Sequence, residues 1–457
     1  MAVLAPDREN VTTINDDGSR RMLHPATVRG RFTTWRSLVG AAIIAIYVAL
    51  PWIPINGYPA VFLDLEHRQF HALGLTFVLQ DLWVGFFLIS GLGFSLFFVT
   101  AMLGRVWCGW ACPQTVFLDI VHRIEGWFEG DAPQQRRLDE MPWTFDKILR
   151  RGGKQLAFGV FSFLIAHVFL SYFVSIPRLY RMMHHAPGEN WTSFSFVFLV
   201  TAALWFNFAW FREQFCIVLC PYGRLQSALI DNHTMVIGYD AKRGEPRGKK
   251  GTAGAGDCID CLRCVQVCPT GIDIRQGLQM ECIGCAACVD ACDTIMDKLQ
   301  RPRGLVRYSS LNGLVGKATK IIRPRIILYC VLLAFGAVAM TFSLSTLRPA
   351  TITVTRMPGV SYILTDGVVR NQYLVRVQNK RNQPQHFNLR VSAPFPVQVT
   401  EIDGGVDVAA NGEELTPLVV VLPRSEFKGA FKFQIIADIP GRGVVFHKEV
   451  PFIGPDK

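Results

Sequence analysis

Long apolar runs alternate with polar segments along most of the chain. A membrane span needs about 20 predominantly apolar residues to cross about 30 Å of hydrocarbon. Four stretches meet this: Leu82 to Leu103, Leu156 to Ile176, Trp191 to Phe211 and Ile326 to Leu347, whose interiors carry no Asp, Glu, Lys or Arg. A fifth, Leu38 to about Ile55, is broken by Pro51 and Pro54, residues tolerated near a membrane end. It lies too far from the N-terminus, and is too long, for a signal peptide. Beyond Ala350 the period changes to two. Tyr373, Val375 and Val377, then Phe387, Leu389 and Val391, then Phe431, Phe433 and Ile435 alternate as strands do. Asp366-Gly367 and Asn411-Gly412 are turn pairs between such runs. The pattern predicts an antiparallel, immunoglobulin-like β-sandwich of about 100 residues.

Composition agrees. The 457 residues are 50% hydrophobic and 18% charged, against roughly 25% charged in soluble domains, and mean hydropathy is +0.26. This excludes a disordered or fibrous chain and sets the protein apart from soluble enzymes. The net charge of +11 would suit nucleic acid, but its placement says otherwise. Segments 1–37, 104–155 and 212–325 hold 31 Lys and Arg, and the short segments 56–81 and 177–190 hold 3. That asymmetry is the positive-inside pattern. It predicts a bacterial inner-membrane protein with a cytoplasmic N-terminus and a periplasmic C-terminal domain, and no nucleic-acid role.

Eight of the 13 cysteines lie in one stretch. Cys258, Cys261, Cys264 and Cys268 are spaced C-x2-C-x2-C-x3-C and followed by Pro269; Cys282, Cys285, Cys288 and Cys292 repeat the spacing 24 residues on, followed by Asp293. This is the bacterial ferredoxin run, in which the fourth Cys of each set reaches the other cluster. One 4Fe–4S cluster is therefore assigned to Cys258, Cys261, Cys264 and Cys292, and the other to Cys268, Cys282, Cys285 and Cys288. Structural zinc uses four ligands in two spaced pairs, not two runs of four. Asp293 stands where a second Pro is usual; Pro is no ligand, so both clusters are expected.

Four more thiols follow membrane spans. Cys108 and Cys112 (WCGWACPQ) come after the second span, Cys216 and Cys220 (FCIVLCPY) after the fourth. Both pairs read C-x3-C-P with an Arg upstream, Arg105 or Arg212, and they recur with a period of 108 residues. Pro113 and Pro221 suit the first position of a helix, which predicts Cys112 and Cys220 at helix N-termini, where thiol pKa values fall. A soft-metal site, a thiol relay and a third cluster all fit thiols at this spacing.

With these residues in view, the chain resembles the CcoG/FixG/RdxA family, accessory proteins for assembly of the cbb3-type cytochrome c oxidase. The likeness rests on the ordered combination of two C-x3-C-P hairpins, the stretch CIDCLRCVQVCPTGIDIRQGLQMECIGCAACVDAC, a last span and a β tail. It implies a cupric reductase that converts Cu(II), its substrate, to Cu(I). It implies as partners a copper-transporting ATPase and the oxidase assembly factors, and an immunoglobulin-like C-terminal domain. The electron donor is a cytoplasmic one or the quinone pool, and a homo-oligomer is compatible. The expected organisation is an arm at 1–37; two transmembrane hairpins at 38–211 (spans about 38–55, 82–103, 156–176 and 191–211); a cytoplasmic region 212–325 with a ferredoxin module at 257–300; a fifth span at 326–347; and the periplasmic domain 350–457. The copper site is assigned to Cys108, Cys112, Cys216 and Cys220. Two rivals are a quinol-oxidising subunit feeding a periplasmic reductase and a redox-sensing assembly scaffold. Met182, Met183, His184 and His185 in an outer loop, His67 and His71 on an amphipathic stretch, His167 within a span and Cys330 are given no site role. The segment 114–128 is read as an interfacial helix, and 240–256 as a Gly- and charge-rich linker.

Overall fold

The computed structural model describes residues 22–455 apart from 79–80, 250–251, 382, 401–404 and 441–444. Most of the arm expected at 1–37 thus lies outside the described residues. The chain divides into two units, 1–52 with 85–341, and 53–84 with 342–457.

The helices in chain order are α1 (Arg31–Ala49), α2 (Leu82–Leu103), α3 (Val106–Trp110), α4 (Pro113–Glu129), α5 (Ala132–Glu140), α6 (Phe145–Leu170) and α7 (Ile176–Met183). They continue with α8 (Trp191–Phe206), α9 (Pro221–Leu229), α10 (Ala241–Gly244), α11 (Arg263–Gln266), α12 (Ala287–Lys298), α13 (Leu311–Leu314) and α14 (Pro324–Ser345). Among the described residues five helical stretches are long and apolar enough to cross a membrane: Arg31–Trp52, Trp83–Leu103, Phe145–Leu170, Pro187–Phe211 and Pro324–Ser345. The first starts at Arg31 rather than Leu38, because its first turn is held by a partner described below. The third starts at Phe145 rather than Leu156. Thr144 caps it by accepting from the Lys147 amide at 3.3 Å, so its charged first turns are helical too. It ends at Leu170, before Ile176, where Ser175 opens α7 with Pro177 in the first turn.

Helix α4 corrects the interfacial reading of 114–128. Its apolar face, Leu118, Val121 and Ile124, is buried against Phe158 of α6 and Phe208 at the end of α8, so it packs on the protein itself. The described residues of the linker 240–256 are also more ordered than its composition suggests. Asp240 caps α10, and the Gly248 amide donates to the Cys258 carbonyl at 3.1 Å. Strands Met235–Tyr239 and Val306–Ser310 pair antiparallel on either side of the eight-cysteine segment.

The second unit is a β-sandwich. One sheet orders Gln398–Thr400, Glu413–Pro423, Val368–Asn379 and Ala350–Arg356, with Ile363–Thr365 also paired to the third of these; the other orders Val406–Val408, Gln385–Ser392, Phe431–Asp438 and Val445–Phe452. The expected alternation is borne out: Tyr373, Val375, Val377, Phe387, Leu389, Phe433 and Ile435 share one core. Residues 53–84 join this unit as a small sheet, Val61–Asp64, Gln69–Ala72 and Leu75–Val78. Gln69 donates to the Asn411 carbonyl at 3.1 Å, and Lys380 pairs with Asp81 at 2.5 Å. The i,i+4 spacing of His67 and His71 on that stretch therefore does not mark a helix. His67 lies in the turn and His71 in a strand, where it stacks on Tyr58 with ring centroids 3.8 Å apart.

Candidate functional site

The two ferredoxin runs fold as a repeat. In each, the residue before the second Cys and the residue after it are left-handed: Asp260 (φ 53°) and Leu262 (φ 57°) in the first, Gly284 (φ 71°) and Ala286 (φ 61°) in the second. Non-glycine residues rarely adopt this region. Here it reverses the backbone around the second Cys of each run, and α11 or α12 then starts at once. The thiols gather across the runs. Cys264 lies near Cys258 and Cys261, and Cys292 near Cys258 and Cys264. Cys268 lies near Cys282, Cys285 and Cys288. Burial pushes the Cys264, Cys282 and Cys292 thiols up to about 12, a cost that cationic iron would offset. Among the described residues no three His, Cys, Asp or Glu side chains gather as a single metal ion would draw them. A cubane spreads its thiolates one to each iron, a wider spacing than a single ion needs.

Charged side chains flank the groups. Arg275 lies beside Cys264, ion-paired to Asp260 and, at 2.6 Å, to Asp273. Arg36 of α1 lies beside Cys285, held at 2.5 Å by Asp119 of α4. Arg105 lies near Cys282. Asp293, in place of proline, lets α12 run on past Cys292 to Lys298, and its carboxylate accepts from the Gly304 amide at 2.9 Å. One turn earlier, buried Asp290 caps α1 from outside it. It accepts from Phe32 N (3.1 Å), Thr33 N (2.7 Å) and Thr33 Oγ1 (2.8 Å).

The membrane-edge thiols also converge. Cys108 sits on α3; Cys112 is the N-cap of α4 with Pro113 at its first position. Cys216 sits on a π-helical turn, Phe215–Leu219; Cys220 is the N-cap of α9 with Pro221 first. Cys216 lies close enough to Cys108, Cys112 and Cys220 to feel their charge, and Cys108 feels Cys112 and Cys220. The capping positions are as expected, but the expected fall in thiol pKa at Cys112 is not. The amides of Gln114 and Thr115 do favour its thiolate, yet burial outweighs them and the pKa rises. Burial likewise pushes Cys108 up to about 11 and Cys216 up to about 12.

Each upstream arginine braces the opposite repeat. Arg105 donates to the Gly223 carbonyl of α9 at 2.7 Å. Arg212, fully buried, pairs with Glu125 of α4, whose carboxyl it holds far below the usual range. Lys154 reaches Glu129 at 2.8 Å beside them. Glu125 was missed in the sequence; a carboxylate one turn from Val121 on an apolar face was the available signal.

The two thiol sets adjoin at Gly109. A side chain there would meet the Ile283 carbonyl at 2.7 Å and the Cys285 amide at 2.8 Å, so α3 lies backbone to backbone on the loop of the second ferredoxin run. Trp110 Nε1 donates to the Tyr308 hydroxyl at 3.2 Å, which donates to the Gly284 carbonyl at 2.7 Å. The residues denied a site role stay apart. His167 Nδ1 bonds the Phe163 carbonyl at 2.9 Å, His184 Nδ1 the Tyr180 carbonyl at 2.8 Å, and His185 pairs with Glu189 at 2.9 Å. Cys330 is exposed on α14.

Comparison with known proteins follows this anatomy. Residues 211–311 match a family model described as a 4Fe–4S dicluster domain, and 84–131 match a 4Fe–4S binding domain. Residues 340–455 match the immunoglobulin-like fold at the C-terminus of FixG. Protein RdxA of Cereibacter sphaeroides is 36% identical, over 89% of this chain and 90% of that protein. Nitrogen fixation protein FixG of Rhizobium meliloti is 33% identical over 92% and 90%, and protein RdxB of C. sphaeroides 34% over 89% and 87%.

Proposed function

The chain belongs to the FixG/RdxA family of iron–sulfur electron-transfer proteins, and from that premise we propose that it is a membrane-bound cupric reductase. One observation carries the reading: four thiols come within electrostatic reach of one another where two spans end, and α3, which bears one of them, rests through Gly109 on the loop that bears Cys285. When bound, 4Fe–4S clusters on Cys258, Cys261, Cys264 and Cys292, and on Cys268, Cys282, Cys285 and Cys288, would supply electrons one at a time. Cu(II) is the substrate. Cys108, Cys112, Cys216 and Cys220 offer soft sulfur, which favours Cu(I) over Cu(II) and so draws the one-electron reduction forward. Arg105 and Arg212 hold the two C-x3-C turns against each other. In this reading the basic asymmetry puts the thiols on the cytoplasmic side of an inner membrane. The Cu(I) formed goes to a copper-transporting ATPase serving cbb3-type oxidase assembly.

The test is cuprous product, read with a Cu(I)-specific dye, per intact cluster. Cys112→Ser and Cys220→Ser should abolish Cu(II) reduction while the cluster spectra persist; wild-type turnover in all four single Cys→Ser variants would retire the copper site. A second reading has its own support, since the 4Fe–4S binding match at 84–131 contains Cys108 and Cys112. If the four thiols hold a third cluster, anaerobic reconstitution yields about twelve iron per chain rather than about eight.

A further inference from the structure

A cavity of about 450 Å³ opens beside the second ferredoxin run, with Cys282 in its wall. Its size falls in the range of small-molecule sites, roughly 300–1,000 Å³. Most of the lining is apolar. Leu103 ends α2, Val106 begins α3, and Leu278 precedes Cys282. Leu103 and Leu278 are 41% and 39% exposed, so the rim itself is apolar. The rim lies where a membrane span ends, and along that span Phe86, Ile89 and Leu92 are exposed. The wall is fixed there: Thr234 Oγ1 donates to the Ala101 carbonyl at 2.9 Å, and Arg323, just before α14, donates to the same oxygen.

The polar groups are few and say what does not bind. Arg105 is the basic residue of the lining and donates to the Gly223 carbonyl, while Asp231 is ion-paired with Arg323. A phosphate-bearing nucleotide would meet a single guanidinium, already held by a carbonyl, in a wall that is otherwise mostly apolar. What remains are neutral groups: the hydroxyls of Ser227 and Tyr308, the amide of Asn232, and that of Gln279, whose Nε2 donates to the Asp273 carbonyl at 2.8 Å and whose oxygen is an acceptor. An apolar slot at a membrane edge, with a few neutral hydrogen-bonding groups and a redox-centre thiol in its wall, suits a small ring with two hydroxyls and a long apolar tail.

We propose that this cavity binds a membrane hydroquinone and is where the chain takes up its electrons. Oxidation of the hydroquinone to the quinone breaks two O–H bonds and releases two protons and two electrons. The protons pass to water at the exposed rim beside Asn232, and the two one-electron centres that the eight thiols would hold match the two electrons. The inference rests on the iron–sulfur reading of those thiols and not on copper reduction.

The full chain in lipid nanodiscs is the material for the test. A photoreactive azido-benzoquinone with a decyl tail should label peptides from 227–236 or 278–284, and decyl-ubiquinone should compete. Ala228→Trp and Leu278→Trp place bulk at the exposed rim. Each should weaken decyl-ubiquinone binding at least tenfold by calorimetry, with iron content and reduction by dithionite unchanged. No saturable binding, labelling confined to other peptides, or wild-type affinity in both variants overturns the proposal. Copper reduction is not read in any arm, so its failure and this one are separable.

Discussion

Gly109 has no room for a side chain, since any Cβ would collide with backbone atoms of Ile283 and Cys285. Gly109→Val should therefore lift α3 from that loop. We expect Cu(II) reduction per intact cluster to fall more than tenfold, with Cys258, Cys261, Cys264 and Cys292 still binding iron; unchanged turnover would show that the contact carries no electrons. Glu125 and Arg212 are both buried, so losing one partner strands a charge in an apolar setting. Glu125→Leu should cost about 3–5 kcal/mol, visible as a lowered thermal midpoint in detergent. Asp290→Ala leaves the Phe32 and Thr33 amides without their acceptor and should cost about 1–2 kcal/mol. The sequence shows each of these residues, but not its role. Gly109 is visible within WCGWACPQ, yet nothing local says that a loop 175 residues later occupies the space of its missing side chain.

The clearest element-scale device is the pair of left-handed positions around Cys261 and Cys285. Because each fourth Cys crosses over, damage should be asymmetric. Cys264→Ser should lose the cluster tied to Cys258, Cys261 and Cys292, and Cys285→Ser the other. Iron should fall from about eight to about four per chain in each, and reduced samples should show different residual electron spin resonance spectra. Equal loss of both clusters would contradict the grouping. The crossover is an expectation from spacing, whereas the spacing-based placing of Cys112 and Cys220 as N-caps before proline is seen in the fold. Spacing failed for helix length and for the outer loop. α6 begins ahead of its apolar stretch because a capped, charged first turn is helical without being hydrophobic. His67 and His71 fit a helix by spacing, but four-residue strands are too short for their period to declare itself.

At the scale of the molecule, the described residues include five helical stretches able to cross a membrane, and the segment between the first two of them belongs to the β-sandwich unit. The basic asymmetry predicts opposite sides for the eight-cysteine stretch and the sandwich. A phosphatase reporter fused after Gly454 should be active in the periplasm and one fused after Gly256 silent; the reverse would put the eight thiols in an oxidising compartment. The sequence by itself determined the spans, the strand alternation of the tail and the two cysteine runs. Each is a local pattern, set by hydrocarbon thickness, side-chain alternation or ligand spacing, and is complete within a few dozen residues. Only the tertiary structure decided that four thiols 108 residues apart in pairs meet, that Gly109 lies on the Cys285 loop, that Asp290 caps α1 and that residues 61–78 belong with the sandwich. Those are contacts between distant segments. Their energy comes from packing and buried charge, and neither is expressed in the residues of one segment until the other arrives.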